Sequence, residues 1–190
     1  MESELFIGDA SAQPLAARLA PQTLDEFAGQ GNLLGPGKML RRLVSADRFA
    51  SALFFGPPGC GKTALARFIA ARSKADVTEL NAVSAGVSDL KKVLEQAKYS
   101  ASHLKRKTLL LIDEIHHFNR TQQDVLLPSV ERGDVLLIGL TTENPSFYVN
   151  AALLSRFTAF EFQPLSEDDL SKIAARALSD KERGLGKLKL

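Results

Sequence analysis

Two kinds of hydrophobic pattern alternate along this chain. Short, largely apolar runs at 52–55, 108–113 and 135–140 predict buried strands, and 77–80 and 159–162 read as two further strands. Between them, apolar residues recur at helical spacing. The segment 38–46 carries Met39, Leu40, Leu43 and Val44, and 62–73 carries Leu65, Ala66, Ile69 and Ala70 on one face. Further helices are predicted at 87–99 and 121–130. Ser166, with Asp169 three positions on, reads as the N-cap of a helix through Leu178. Strand, helix and strand in succession predict an α/β fold, a parallel five-stranded sheet covered by helices on both faces in three layers. The first 13 residues show no period and read as a flexible lead. The segment 14–37 is rich in Pro and Gly, with one short helical turn near 24–28. The tail from Lys181 to Leu190 has weak apolar content, and no internal repeat or low-complexity tract occurs.

Composition changes this picture little. A length of 190 residues suits one α/β domain with a core of its own. The formal net charge is only +2, so any contact with DNA has to come from a local patch. Cys60 is the single cysteine, which excludes an intrachain disulfide and fits a reducing, cytoplasmic setting (nucleoid-associated if bacterial). The first ten residues carry acids and lack a basic-then-apolar pattern, so no signal peptide is expected. The longest apolar runs are far too short to span a bilayer, so no membrane partner is expected.

The chemistry begins at Gly56-Pro57-Pro58-Gly59-Cys60-Gly61-Lys62-Thr63, which fits G-x-x-x-x-G-K-[ST] between a predicted strand and a predicted helix. Its glycines let backbone N–H groups turn around phosphate oxygens, and the positive end of the following helix faces the same anion. Lys62 then reaches the β- and γ-phosphates, and the Thr63 hydroxyl holds Mg²⁺. The run Leu109-Leu110-Leu111-Ile112-Asp113-Glu114 is an apolar strand ending in two carboxylates. In a parallel sheet that end faces the phosphate loop. Asp113 can complete the Mg²⁺ shell through water, and Glu114 can polarise an attacking water as general base. A GTPase would need a D-x-x-G switch and an N-K-x-D guanine reader; neither is present, so the nucleotide expected is ATP.

With GPPGCGKT and LLLIDE in place, Leu140-Thr141-Thr142 and Leu154-Ser155-Arg156-Phe157 make the chain resemble the clamp-loader branch of the AAA+ P-loop ATPases. Three more stretches narrow the resemblance. Gln13-Pro14-Leu15-Ala16-Ala17-Arg18, the run HHFNRTQQD at 116–124 and TTENPSF at 141–147 are similar to the replication-associated recombination protein A family. The resemblance covers about Gln13 to Gly184. It implies that Thr142, with Asn144 as the alternative, senses the γ-phosphate or the attacking water. It implies that Arg156 is an arginine finger acting on the ATP of a neighbouring subunit. It also implies that Asn81 can hold the catalytic glutamate away from water until DNA binds. The division it suggests is a nucleotide-flanking lead at 1–37, an ATPase core at 38–165 and the start of a helical lid at 166–190. Family members continue through that lid into an oligomerisation region, so the chain reads as a fragment or a short member. In full-length form the resemblance implies a homo-oligomer working with DNA at forks, ends or single-stranded regions and with replication or repair proteins.

Two positions depart from the family. Ala20-Pro21 stands where Arg-Pro is usual, and Cys60 where Thr is usual; the second offers mainly its backbone N–H. Adjacent His116 and His117 lack metal-ligand spacing and are expected to point to different sides. Lys105-Arg106-Lys107 reads as a solvated loop, and Lys91, Lys92 and Lys98 as a helix face that in relatives faces DNA. The expected function is that of a DNA-dependent, Mg-dependent ATPase in replication-associated recombination and repair. A clamp-loader or branch-migration subunit, or a non-hydrolysing ATP-binding assembly module, are the alternatives.

Overall fold

A computed structural model of the chain describes residues 13–187, so the expected flexible lead lies, apart from Gln13, outside the described residues. The helices in chain order are α1 (Leu15–Arg18), α2 (Gly31–Leu34), α3 (Met39–Ser45), α4 (Lys62–Arg72), α5 (Val87–Tyr99), α6 (Arg120–Arg132), α7 (Pro145–Tyr148), α8 (Ala151–Leu154) and α9 (Glu167–Ser179). The strands are β1 (Ala52–Phe55), β2 (Asp76–Asn81), β3 (Thr108–Asp113), β4 (Val135–Thr141) and β5 (Thr158–Glu161). The chain forms two compact units. One runs from Gln30 to Pro164; the other joins the described residues up to Gly29 with those from Leu165 on.

In the larger unit all five strands pair in parallel, in the order β2-β3-β4-β1-β5. The central strands are apolar throughout because helices cover both of their faces. Leu53, Leu110, Ile112, Leu137 and Ile138 are wholly buried. Each such side chain contributes about 1.5–3 kcal/mol relative to exposure. Leu90 and Leu94 of α5, Leu126 of α6, and Ile115 and Phe118 join the same core. On the far edge, Phe160 and Phe162 pack against Phe54 with ring centroids 5.9 and 5.2 Å apart. Parallel pairing puts the carboxyl ends of all five strands along one edge of the sheet and their amino ends along the other.

Most predicted elements are present with bounds shifted by a residue or two. β5 starts at Thr158 rather than 159, and the Phe162 N–H still donates to the Phe55 carbonyl at 2.7 Å. Helix α6 begins at Arg120 because Asn119 caps it, and it stops where Gly133 turns left-handed (φ 74°). Past Tyr99, α5 widens into a π-helical turn, Ser100–Leu104, that apolar spacing does not reveal. The segment 30–37, expected with the lead, packs with the core instead. Buried Gln30 is the reason: its amide donates to the Gln163 carbonyl at 2.7 Å and the Cys60 carbonyl at 3.2 Å, and accepts from the Gln163 N–H at 3.0 Å.

The smaller unit is built on α9. Its cap is the predicted one: Ser166 Oγ accepts from the Asp169 N–H at 3.2 Å, and the Asp169 carboxylate accepts from the Ser166 N–H at 3.1 Å. From α9, Arg176 donates to the carbonyls of Leu19 (2.9 Å) and Glu26 (3.0 Å). The Glu26 carboxylate lies 3.4 Å from Arg176 and 3.1 Å from Arg183. Burial pushes the Glu26 pKa up, but the Gln22 N–H and the two guanidiniums outweigh it and hold the carboxyl below its usual range. A carboxyl depressed in the folded state contributes stability above its unfolded pKa and loses it as pH falls through the folded value. Glu26→Gln should therefore lower stability by about 1 kcal/mol at neutral pH. The difference should shrink below about pH 4. Thermal melts of both proteins at the two pH values check this; an equal loss at both would remove the ion pair as its cause.

Candidate nucleotide site

β1 runs into the phosphate loop at Gly56 (φ 141°), where a Cβ would lie 2.3 Å from the Phe162 carbonyl oxygen; only glycine fits that approach. The loop continues through Pro57, Pro58, Gly59 and Cys60 to Gly61, which is left-handed (φ 98°) and begins α4 without a side-chain cap. No acid stands in the first turn of α4. Its first N–H groups and the positive end of its dipole are thus left to an anion held by the loop, which fits a nucleotide's phosphates. Lys62 is buried, and its ammonium donates to the carbonyls of Gly56 (2.7 Å) and Pro57 (2.8 Å). Carbonyls are uncharged partners for a buried ammonium, which suits the position to an incoming anion. Thr63 follows in the same helical turn, partly buried. The Cys60 thiol is 2% exposed and lies 3.8 Å from the Lys62 ammonium.

β3 ends at Asp113, whose carboxylate accepts from the Glu114 N–H at 3.1 Å. Glu114 is left-handed (φ 53°, ψ 46°). An L-residue is held there at roughly 1–2 kcal/mol. What holds it is the turn that follows: the His117 N–H donates to the Glu114 carbonyl at 2.9 Å, and Ile115 and Phe118 are anchored in the core. The Glu114 carboxylate accepts from the Thr142 hydroxyl at 3.5 Å and lies 3.2 Å from His116 Nδ1. Because β4 separates β1 from β3, Thr142, which follows β4, stands between the phosphate loop and the two carboxylates. Asn144 is turned to other work, capping α7 through the Ser146 N–H at 3.0 Å. The Asn81 carboxamide accepts from the Val83 N–H at 2.8 Å, as a turn former. On α4, Glu79 and then Asp113 raise the pKa of the Arg67 guanidinium above its ordinary value.

Arg156 is not brought to this cluster. It stands between α8 and β5, at the amino edge of the sheet, exposed and paired with exposed Glu131 at 2.8 Å. Lys91, Lys92 and Lys98 are exposed on α5, and Lys105, Arg106 and Lys107 are exposed before β3. The rings of His116 and His117, in the 3₁₀ turn 115–117, lie tilted at 36° with centroids 4.2 Å apart rather than pointing to different sides. Among the described residues no cluster of three or more His, Cys, Asp or Glu is placed to hold a metal. Thr63 and Asp113 carry oxygen atoms of the kind Mg²⁺ takes, and they would hold it together with nucleotide oxygens and water.

Two residues that matter here were not singled out by pattern. Gln30 ties the phosphate loop to the end of β5, as above. Gln123, 3% exposed, donates to the carbonyls of Phe118 (2.9 Å) and Tyr148 (2.8 Å) and accepts from the Asn150 N–H at 2.7 Å. It staples the turn after β3 to the segment after β4. Its neighbour Gln122 had a signal: N-x-x-Q before an apolar run is a capping box, and Asn119 and Gln122 exchange both bonds at 3.0 Å.

The pattern of the ATPase family associated with various cellular activities (AAA) matches residues 52–165. A replication-associated recombination protein A of Haemophilus influenzae is 44% identical over 93% of this chain. The chain belongs to the AAA ATPases, in the replication-associated recombination protein A family. It covers 40% of the length of that relative. ATPase WRNIP1 of Dictyostelium discoideum is 43% identical over 88% of the chain, which spans 19% of it. A solved structure of the Thermotoga maritima RuvB Holliday junction branch migration motor is 29% identical, with a TM-score of 0.68 over 85% of this chain and 54% of that one. Membership of the AAA family carries nucleotide binding with it, and the matched span holds every residue from Gly56 to Arg156 discussed above. No helix among the described residues is long and apolar enough to cross a membrane.

A thiol in a phosphate-binding loop at a helix N-terminus reacts readily when exposed, but Cys60 is buried and so shielded from reagents. Native protein should react with a thiol reagent far more slowly than protein unfolded in denaturant, as followed by mass spectrometry. Rapid stoichiometric modification of the folded chain would contradict this packing.

Proposed function

We propose that this chain is the ATP-hydrolysing core of a DNA-dependent ATPase acting in replication-associated recombination and repair. The observation that carries the hydrolytic half is the Glu114 carboxylate, within reach of the Thr142 hydroxyl at the end of β3, on the same sheet edge as the phosphate loop. Backbone N–H groups of the loop hold the phosphates, and the Lys62 ammonium exchanges the Gly56 and Pro57 carbonyls for phosphate oxygens. Thr63 and Asp113 would hold Mg²⁺, which would supply charge neutralisation to the phosphates. Glu114 polarises the attacking water, and Thr142 offers its hydroxyl beside it. Arg156, at the opposite edge, serves the ATP of a neighbouring subunit.

The DNA half rests on what the relatives are named for. The RuvB likeness favours a second reading, a branch-migration subunit, but identity is higher to the recombination proteins, at 44% against 29%. Single-turnover hydrolysis in the longer protein, with and without forked or single-stranded DNA, tests the whole reading; a rate indifferent to every DNA would remove its second half.

Lys62→Ala should weaken ATP binding, because the ammonium meets phosphate in both ground and transition states. Glu114→Gln should keep ATP and stop its hydrolysis. Equal loss of affinity in both variants would refute the assignment. Arg156→Ala should bind ATP as before while hydrolysis falls by about 10³-fold. In joint oligomers of the longer protein, Arg156→Ala and Glu114→Gln subunits, each inactive alone, should regain activity together. Joint oligomers without recovered activity would make Arg156 structural.

A further inference from the structure

His116 is the feature of the site that nothing above employs. Its ring is 14% exposed, and its Nδ1 lies 3.2 Å from Glu114 Oε2 and 2.9 Å from Thr141 Oγ1. A ring nitrogen carries either a hydrogen or a lone pair. A carboxylate oxygen only accepts, so a lone pair on Nδ1 facing Oε2 would be repelled. Of the two contacts only the one to Thr141 has hydrogen-bond geometry, and a hydrogen on Nδ1 makes both attractive whereas a lone pair serves Thr141 alone. Thr141 Oγ1 serves as a second acceptor; it already accepts from the Glu143 N–H at 3.0 Å.

The ring has little freedom to leave this position. It lies tilted against His117 at 4.2 Å between centroids and meets the Tyr148 ring edge-on at 5.8 Å. The Tyr148 backbone is held by buried Gln123. Thr142 donates to Glu114 at 3.5 Å, the outer limit of a hydrogen bond. The imidazole lies closer to the carboxylate, at 3.2 Å, and is the better fixed of the two groups.

We propose that His116 is a positioning residue: its Nδ1–H holds the Glu114 carboxylate in the orientation from which it polarises water. A base oriented by a third group is the general arrangement by which a proton acceptor is kept at its task. His116 touches neither nucleotide nor water in this scheme and acts only through Glu114. The inference rests on the hydrolytic reading of Glu114, and its tests separate the two.

The tautomer is read first, without turnover. Nitrogen-15 correlation spectra of the imidazole should show a hydrogen on His116 Nδ1 in the wild-type chain. A lone pair on Nδ1 overturns the proposal even if the protein hydrolyses ATP. If Nδ1–H is present but the longer protein never hydrolyses ATP, the functional reading of Glu114 falls and the inference falls with it.

Kinetics in the longer protein follow. His116→Ala should leave ATP affinity within about twofold and lower kcat by roughly 10–100-fold, the scale on which an orienting hydrogen bond usually acts. His116→Asn places an amide N–H where Nδ1–H stood and should recover most of that loss. In a Glu114→Gln background His116→Ala should have no further effect. Three results overturn the proposal: an unchanged kcat in His116→Ala; an Asn variant that melts like wild type yet is no faster than Ala; or an equal loss with and without Glu114, which would mark His116 as a packing residue.

Discussion

With all five strands parallel and β4 lying between β1 and β3, what each strand delivers at its carboxyl end is settled by its place in the order. β1 delivers the phosphate loop, β3 delivers Asp113 and Glu114, and β4 delivers Thr142 between them. No long-range side-chain contact has to be invented to gather these groups. Backbone pairing alone sets their spacing, since neighbouring strands lie about 4.8 Å apart. The apolar strands secure that pairing: a substitution that unpacked Leu110 or Leu137 would disturb the spacing of the site as well as the core.

Pairing brings Glu114 to the right edge but does not aim it. That requires the strained left-handed residue, a turn anchored by Ile115 and Phe118, and Gln123 joining the turn to the segment at 148–150. The stretches HHFNRTQQD and TTENPSF meet at this joint. Asn119 and Gln122 cap α6, Asn144 caps α7, Gln123 bridges the two segments, and the Asn150 side chain donates to Asp124 at 2.9 Å. These stretches therefore form the frame of the turn that carries Glu114. A buried amide with all its bonds made fixes geometry in a way an apolar contact of equal size does not.

The sheet and the phosphate loop were legible because each has a local cause. Continuous apolar runs mark buried parallel strands, and a strand–glycine–lysine–helix succession has few other uses. The Ser166 cap was legible for the same reason, a side chain bonding three residues away. What escaped was non-local. Gln30 belongs with the core through bonds to residues 30 and 133 positions distant, and no neighbour of Gln30 signals them. The two histidines were read by a general rule of alternation, which a 3₁₀ turn does not obey. The resemblance to known ATPases supplied Thr142 and Arg156, whose placement depends on strand order and which no periodicity would single out.

Arg156 and Lys62 stand at opposite edges of one sheet, and this separation bears on how the proposed reaction could be completed. A guanidinium at the amino edge cannot neutralise charge on phosphates held at the carboxyl edge of the same sheet. In the proposed assembly, its phosphates are those of another subunit. Its present partner does not oppose such use: the Arg156–Glu131 pair is exposed on both sides and is worth about 0–1 kcal/mol. A transferring phosphoryl group, desolvated between two subunits, offers far more to a bidentate cation. Exchanging Glu131 for phosphate is therefore favourable once a neighbour is docked and nearly neutral before. In the proposed assembly, an arginine held so weakly would give up Glu131 at little cost, which would tie hydrolysis to the docking of a neighbour without any moving part inside the subunit.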